Sequence, residues 1–548
     1  MAMVGTRGMV VSDDREASAW GAEVLRQGGN AIDAAVATAF AMSVTRPHYA
    51  SIGGGGFMIY CPKPTEAGPS SCQALDYREK APSAAHRNLF IRNGKAETQL
   101  SQDGPLASGV PGVPAGLLTA LAKFGTWPRQ KLLKRPIELA KKGYIFSPHS
   151  ETAAKSRWSA MNPAAKKIFG CSGAAGKIPD APCPPGTVVK QPDLARVLEA
   201  ISQQGRKGFY EGFFAKKIVD GFQHAGGIMS LQDLKSYEPK WREVLKSNFR
   251  GHEIISMPPP SSGGAIVLQL LGYAERAEKS GGLKEGYGSV NAIHSIVHGM
   301  SLAFSDRAMY LGDPDFTQIP LSTLISPSYL DNRWKTFDLD EANLPNGAGD
   351  LKYEPQHTTH FAVMDRHGNA VSITTTVNDN FGSGFVPPGT GIVMNNEMDD
   401  FSVEPGVPNL FGLIGSEANA VGSGKRPLSS MSPTIVRDAQ GRVEIAIGAA
   451  GGPRIITSVF LSLLNRLHFG MSLVDAVAAP RFHQQWRPTD VIVERFSLAP
   501  ETRAALRIKG YQLEEVPTLG KVHAIERLPN GRTIGVPDFR GEGAAVAE

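Results

Sequence analysis

The feature that most constrains this chain is a change of periodicity at residue 358. Thr358 to Asp365 and Ala370 to Thr376 both alternate apolar and polar side chains as half-buried strands do, and Arg366 to Asn369 between them carries turn residues. That pattern predicts a hairpin. A second pair, Thr434 to Arg437 and Val443 to Ile447 around Asp438 to Gly441, runs into Gly448 to Gly452 and then a helix. Pro453 is expected at the first position of that helix, with Ile456, Val459, Phe460, Leu463, Leu464 and Leu467 on one face. Before the change, Leu106 to Asp340 reads as mainly helical, punctuated by Pro136, Pro148, Pro182 and the run Pro258 to Pro260. Helices, then strands, then helices predict sheets sandwiched between helical layers.

Nearer the start, Ser12 is expected to cap a helix through Trp20, Val24 and Leu25 that stops at Gly28 and Gly29, and Asn30 to cap the next. That second helix contains the apolar run Ala34 to Val44, well short of the ~20 residues a membrane span requires. Gly53 to Gly56 has no following Gly-Lys-Ser/Thr, so it reads as a tight backbone turn beside a site and not as a phosphate loop. The 548 residues, 41% hydrophobic and 20% charged, suit one large layered domain or about three or four ordinary ones. Fifty-seven basic residues against 52 acidic leave +5 with no long basic run, which gives no footprint for nucleic acid or an anionic membrane.

Four cysteines fall as two local pairs, Cys61 with Cys72 and Cys171 with Cys183. Cys61 ends one expected strand and Cys72 opens the next after a Pro/Gly/Ser turn, the layout of a hairpin that can be cross-linked. Paired cysteines favour an oxidising compartment. No cationic segment followed by an apolar one precedes the first helix, so the expectation is a periplasmic or secreted protein whose signal peptide is absent from this chain.

Chemistry is expected where Glu341 to Gln356, rich in Pro, Gly and Asn, leads to the strand that opens His357-Thr358-Thr359-His360. A Thr hydroxyl is a poor nucleophile unless a base stands beside it, and backbone cleavage before Thr358 would supply that base as the residue's own α-amine. Gly451 and Gly452, at a helix start, let backbone N–H groups approach a ligand and form an oxyanion hole. Arg78 is suited to a carboxylate, Ser429 and Ser430 to hydroxyl donation, and Asn378, Glu397 and Asp400 to an ammonium. Together these residue types would define the zwitterionic end of an amino-acid substrate.

The segments Ile52 to Met58, Asp76 to Pro82, Met257 to Gly264 and Tyr310 to Phe316 resemble the large subunit of gamma-glutamyltransferases. Thr358-Thr359-His360-Phe361, Asn395 to Phe401, Lys425 to Thr434 and Gly451-Gly452 resemble the small subunit, all in order along nearly the whole chain. The resemblance implies an α+β fold, the four-layer αββα sandwich of N-terminal nucleophile hydrolases. It also implies a precursor that cuts itself between His357 and Thr358 into a large subunit, 1–357, and a small one, 358–548, which pair as a heterodimer in one αββα domain. Thr358 would be the nucleophile, Thr376 would support its hydroxyl, and Gly451 and Gly452 would line the oxyanion hole. Arg78, Ser429 and Ser430 would bind the α-carboxylate of a γ-glutamyl group, with Asn378, Glu397 and Asp400 at its α-amine. The implied partners are glutathione, other γ-glutamyl compounds and amino-acid or dipeptide acceptors, with no cofactor, metal, nucleic acid or membrane span. Glu397 stands where bacterial relatives often have Gln and animal relatives have the acid. Pro405 to Ala420 resembles the lid loop of many members, with Phe411 where lid-bearing relatives often have Tyr.

Within enzymes the rival reading is a cephalosporin or glutaryl acylase of the same fold, whose glutaryl group offers no amine to Glu397 and Asp400. His294 and His298, four apart on an expected helix, lack the Glu of HExxH and a third ligand, so they read as packed helix histidines. A non-catalytic binding protein would need a damaged site, and every expected residue type is present.

Overall fold

The computed structural model describes residues 1–65, 68–171, 177–343 and 358–548. Two seven-stranded sheets dominate it. In the first, Thr358–Met364 lies between Met9–Ser12 and Ala370–Thr376, and the sheet continues through Gly55–Cys61, Gln73–Asp76 and Lys240–Arg242, with Ala544–Ala547 at the opposite edge. The second runs Met3–Gly5, Thr533–Pro537, Lys521–Arg527, Val443–Ala450, Thr434–Arg437, His252–Ser256, Leu245–Phe249. Both are antiparallel throughout.

Alternation along the strands explains the layering. Val10, Phe361, Val363, Val371 and Ile373 pack with the helices Arg15–Arg26 and Ala31–Thr45 in one core. Met9, Val11, Ala362, Met364 and Ala370 belong to a second core with Ile445, Ile447 and the helices Gly263–Lys279 and Arg454–Leu467. Strands of the first sheet thus feed two cores, and a helical layer closes each outer face. Among the described residues, no helix is long and apolar enough to cross a membrane.

Most local signals are realised, with adjustments. Asn30 caps Ala31–Thr45 with a full capping box, accepting from the N–H groups of Ile32 and Asp33 while Asp33 accepts from the Asn30 N–H. The first helix is capped by Asp14 instead of Ser12, because the Ser12 hydroxyl bonds to Ser18 and to the Asp14 backbone, and Asp14 Oδ1 takes the Ala17 N–H at 2.8 Å. Pro453 is the cap of Arg454–Leu467 and not its first residue. The stretch expected to be mainly helical holds three strands of the large sheets, Lys240–Arg242, Leu245–Phe249 and His252–Ser256. They are short, and the first and last are stabilised by pairing with strands distant in sequence, Gln73–Asp76 and Thr434–Arg437, so little in the local sequence announces them. Glu341, Ala342 and Asn343 are described, but the rest of the expected approach segment and His357 lie outside the described residues.

The hairpin that follows the glycine run is covalently tied: Cys61 and Cys72 are joined, as are Cys171 and Cys183 further on. Cys61 and Cys72 lie 11 residues apart, at the end of the register Phe57↔Asp76 to Tyr60↔Gln73. A cross-link over a loop of that length removes entropy from the unfolded chain worth about 2–3 kcal/mol. Replacing both residues, Cys61→Ser with Cys72→Ser, is expected to lower unfolding free energy by about that amount in urea titration. An unchanged midpoint would mean that the bond is not formed in the native protein.

Candidate active site

The end of the central strand is left open by one of its neighbours. Pairing with Met9–Ser12 stops at Ala362↔Val11, so Thr358 to Phe361 reach past that strand. They are held from the other side by Ala370–Thr376, in a register that ends at Thr358↔Thr376. Thr358 Oγ1 lies 3.4 Å from Thr376 Oγ1, and either hydroxyl can donate. Thr376 Oγ1 also accepts the Asn378 N–H at 2.8 Å, which fixes it beside the strand end. Behind the hairpin the glycine run packs backbone on backbone: a Cβ at Gly54 would run into the Thr376 carbonyl oxygen. From sequence the run reads as a tight turn beside a site; in the structure Gly55 and Gly56 open the strand Gly55–Cys61, which pairs with Ala370–Thr376.

Thr358 and Thr376 share a narrow cleft with Arg78, Asn378, Glu397, Asp400, Ser429, Ser430 and Gly452. Of the residues expected to form the site, Gly451 alone does not line it; it precedes Gly452 just before the helix Arg454–Leu467. Gly452 has φ +56°, and a Cβ there would sit 2.8 Å from the Phe411 ring, so a side chain is disfavoured by both the backbone and the lid-like segment. His294 and His298 do not line the cleft. His294 bonds to the Tyr511 hydroxyl at 2.7 Å and His298 to the Thr336 hydroxyl at 3.2 Å, as packed helix histidines do.

Arg78 is fully buried at the centre of the charges. Its guanidinium pairs with Glu397, with Asp400 at 2.5 Å and, more distantly, with Glu79 at 3.7 Å, while Nε donates to the Pro427 carbonyl at 3.1 Å. The groups expected at opposite ends of a zwitterion therefore touch each other in this structure. Burial pulls the guanidinium down, but Glu397 and Asp400 more than reverse this and keep it protonated. Burial pushes Glu397 well up and Asp400 up, in both cases against the pull of Arg78. Glu397 Oε2 has no hydrogen-bond partner among the described residues, which leaves an acceptor suited to an ammonium.

Sequence reasoning missed Glu79, which is buried beside Arg78 and pushed up to about 7 by burial. It also missed Asp399, raised to about 7 by burial, whose Oδ2 accepts the Leu410 N–H at 2.8 Å and so holds the lid-like segment down. Asn409 Nδ2 reaches Asp400 at 3.3 Å and Gln485 Nε2 donates to the Phe411 carbonyl at 3.1 Å. Glu79 and Asp399 each adjoin a residue already singled out, which was the available signal; Gln485 had none.

Two stacked antiparallel sheets between helical layers, with a hydroxyl residue at the open end of a central strand, define an αββα N-terminal nucleophile hydrolase. A family model described as Gamma-glutamyltranspeptidase matches residues 17–548. The glutathione hydrolase proenzyme of Escherichia coli strain K12 is 38% identical over 97% of this chain and 90% of its own length. Among solved structures, a cephalosporin acylase from Bacillus halodurans aligns with TM-score 0.86 and 26% identity over 100% of this chain and 97% of that one. The gamma-glutamyltranspeptidase of Helicobacter pylori aligns with TM-score 0.56 and 38% identity over 60% of this chain and 91% of that chain. The chain belongs to the gamma-glutamyltranspeptidase family and is an enzyme of the gamma-glutamyltransferase type.

Because the Arg78 guanidinium is planar and engages acids on two sides, Lys at this position keeps the charge and loses the fork. Arg78→Lys is expected to raise KM for a γ-glutamyl anilide by at least about tenfold, with maturation intact. Steady-state kinetics on the purified variant check this, and an unchanged KM removes Arg78 from the carboxylate subsite.

Proposed function

We propose that this enzyme cleaves the γ-glutamyl amide bond of glutathione and related compounds through an ester on Thr358, and passes the γ-glutamyl group to water or to an amino-acid or peptide amine. The observation that carries this reading is that Thr358 lines one small cleft with buried Arg78 and Glu397 and half-buried Asp400.

Maturation comes first. The Thr358 hydroxyl attacks the carbonyl carbon of residue 357, the peptide C–N bond breaks, and water hydrolyses the resulting ester to leave Thr358 with a free α-amine. In turnover that amine, whose ordinary pKa is about 8, takes the hydroxyl proton as Oγ1 attacks the γ-carbonyl. Backbone N–H groups at Gly451 and Gly452 hold the oxyanion, and Thr376 orients the nucleophile. The amine then returns the proton to the leaving nitrogen. Ser429 and Ser430 with Arg78 take the α-carboxylate, while Asn378, Glu397 and Asp400 take the α-ammonium. Opening the Arg78 contacts to Glu397 and Asp400 lets the α-carboxylate take the place of these acids at Arg78 and the α-ammonium take the place of Arg78 at the acids. A glutaryl group would leave Glu397 and Asp400 without their ammonium, which favours γ-glutamyl donors over the acylase reading.

The large subunit, 1–357, and the small one, 358–548, would remain joined as one αββα domain. The two cross-linked cysteine pairs support a periplasmic or secreted location.

Two measurements test this reading. The 58.5 kDa chain is expected to mature into bands of roughly 38 and 20 kDa, the smaller beginning Thr-Thr-His-Phe by Edman sequencing, and Thr358→Ala to stay whole. Any other start removes Thr358 as nucleophile. Phe411 reaches the cleft without a hydroxyl to latch the lid, so water is expected to compete well with acceptor amines. Phe411→Tyr is expected to raise the ratio of transfer to hydrolysis, measured as anilide and glutamate release with and without glycylglycine; an unchanged ratio removes Phe411 from the gate.

A further inference from the structure

Arg307, on helix Val290–Tyr310, stands behind the two serines and was not anticipated from sequence. It is 5% exposed, and burial pulls its guanidinium down to about 10. Asp400 acts on it through space, but no carboxylate among the described residues forms an ion pair with it. A buried guanidinium without a paired acid is costly, so what it touches matters.

Its contacts converge on consecutive residues of the cleft. Nη2 donates to Ser430 Oγ at 3.3 Å and Nε to Ser262 Oγ at 3.0 Å. Ser262 Oγ in turn donates to the Ser429 carbonyl at 2.6 Å. These donors leave the cleft hydroxyls their own protons. Ser430 Oγ accepts from Arg307, and Ser429 Oγ accepts the Met431 N–H at 3.1 Å, so each can still donate. Donors polarised in this way are stronger toward an anion. Arg78 meanwhile is engaged by Glu397 and Asp400.

We propose that Arg307 is a positioning residue for the carboxylate end of the donor: it braces Ser429 through Ser262, directs the Ser430 hydroxyl as a donor, and adds a second positive charge behind both. The proposal rests on the γ-glutamyl reading, and it makes the site selective for donors that carry an α-carboxylate.

The test compares γ-glutamyl-4-nitroanilide with 4-aminobutyryl-4-nitroanilide, which keeps the amine and lacks the carboxylate, on native enzyme and on Arg307→Met. For the γ-glutamyl donor KM is expected to rise about tenfold with kcat changed far less, and the preference for it over the 4-aminobutyryl donor to fall by about the same factor. Arg307→Lys, which keeps the charge but cannot reach both serines in one plane, is expected to lie between the two. If Arg307→Met fails to mature, the Lys variant carries the same comparison. A parallel loss on both donors, or an undiminished preference, overturns the role of Arg307. A native enzyme with no preference between the donors overturns instead the γ-glutamyl reading on which it rests.

Discussion

Burial of the Arg78 guanidinium is the constraint on which the site depends. A charge taken fully out of water must be paired and hydrogen-bonded, and here Glu397, Asp400 and the Pro427 carbonyl meet that demand. These partners come from beyond residue 358, whereas Arg78 follows the strand Gln73–Asp76. The same contacts that satisfy the charge therefore join the two parts of the chain across the cleft. A pair of this kind adds little net stability over an apolar core, but it fixes which groups meet, and that suits the proposed exchange of internal partners for the two ends of a zwitterion.

The strand geometry supplies the other half. Thr358 sits at the end of a central strand, anchored through Thr376 and open where Met9–Ser12 stops short. The sheet holds the hydroxyl in place, while the polar groups facing it come from a 3-10 turn, Glu397–Asp400, from Arg78 after the strand Gln73–Asp76, and from the loop bearing Ser429 and Ser430. The proposed nucleophile and the proposed recognition groups are thus carried by different kinds of element. The lid-like segment is tied down by Asp399 and Asp400, so the cover and the proposed ammonium site share their supports.

Much of this was legible in the chain. Period-two alternation marked the hairpins, Asn30 marked a helix start, and Gly451-Gly452 before Pro453 marked a loop entering a helix, because each signal lies within a few residues. The ordered motifs around Arg78, Thr358 and Ser429 marked the family and its chemistry. What stayed hidden has a common cause. The strands Lys240–Arg242 and His252–Ser256 exist through partners far away in sequence, and Ser12 lost its expected cap to Asp14 because its hydroxyl was taken by Ser18. Tertiary structure alone decided that Arg78 meets Glu397 and Asp400, that Asp399 holds Leu410, and that Arg307 stands behind Ser430. Such pairings depend on which side chains long-range folding buries together, and local sequence carries no record of that distance.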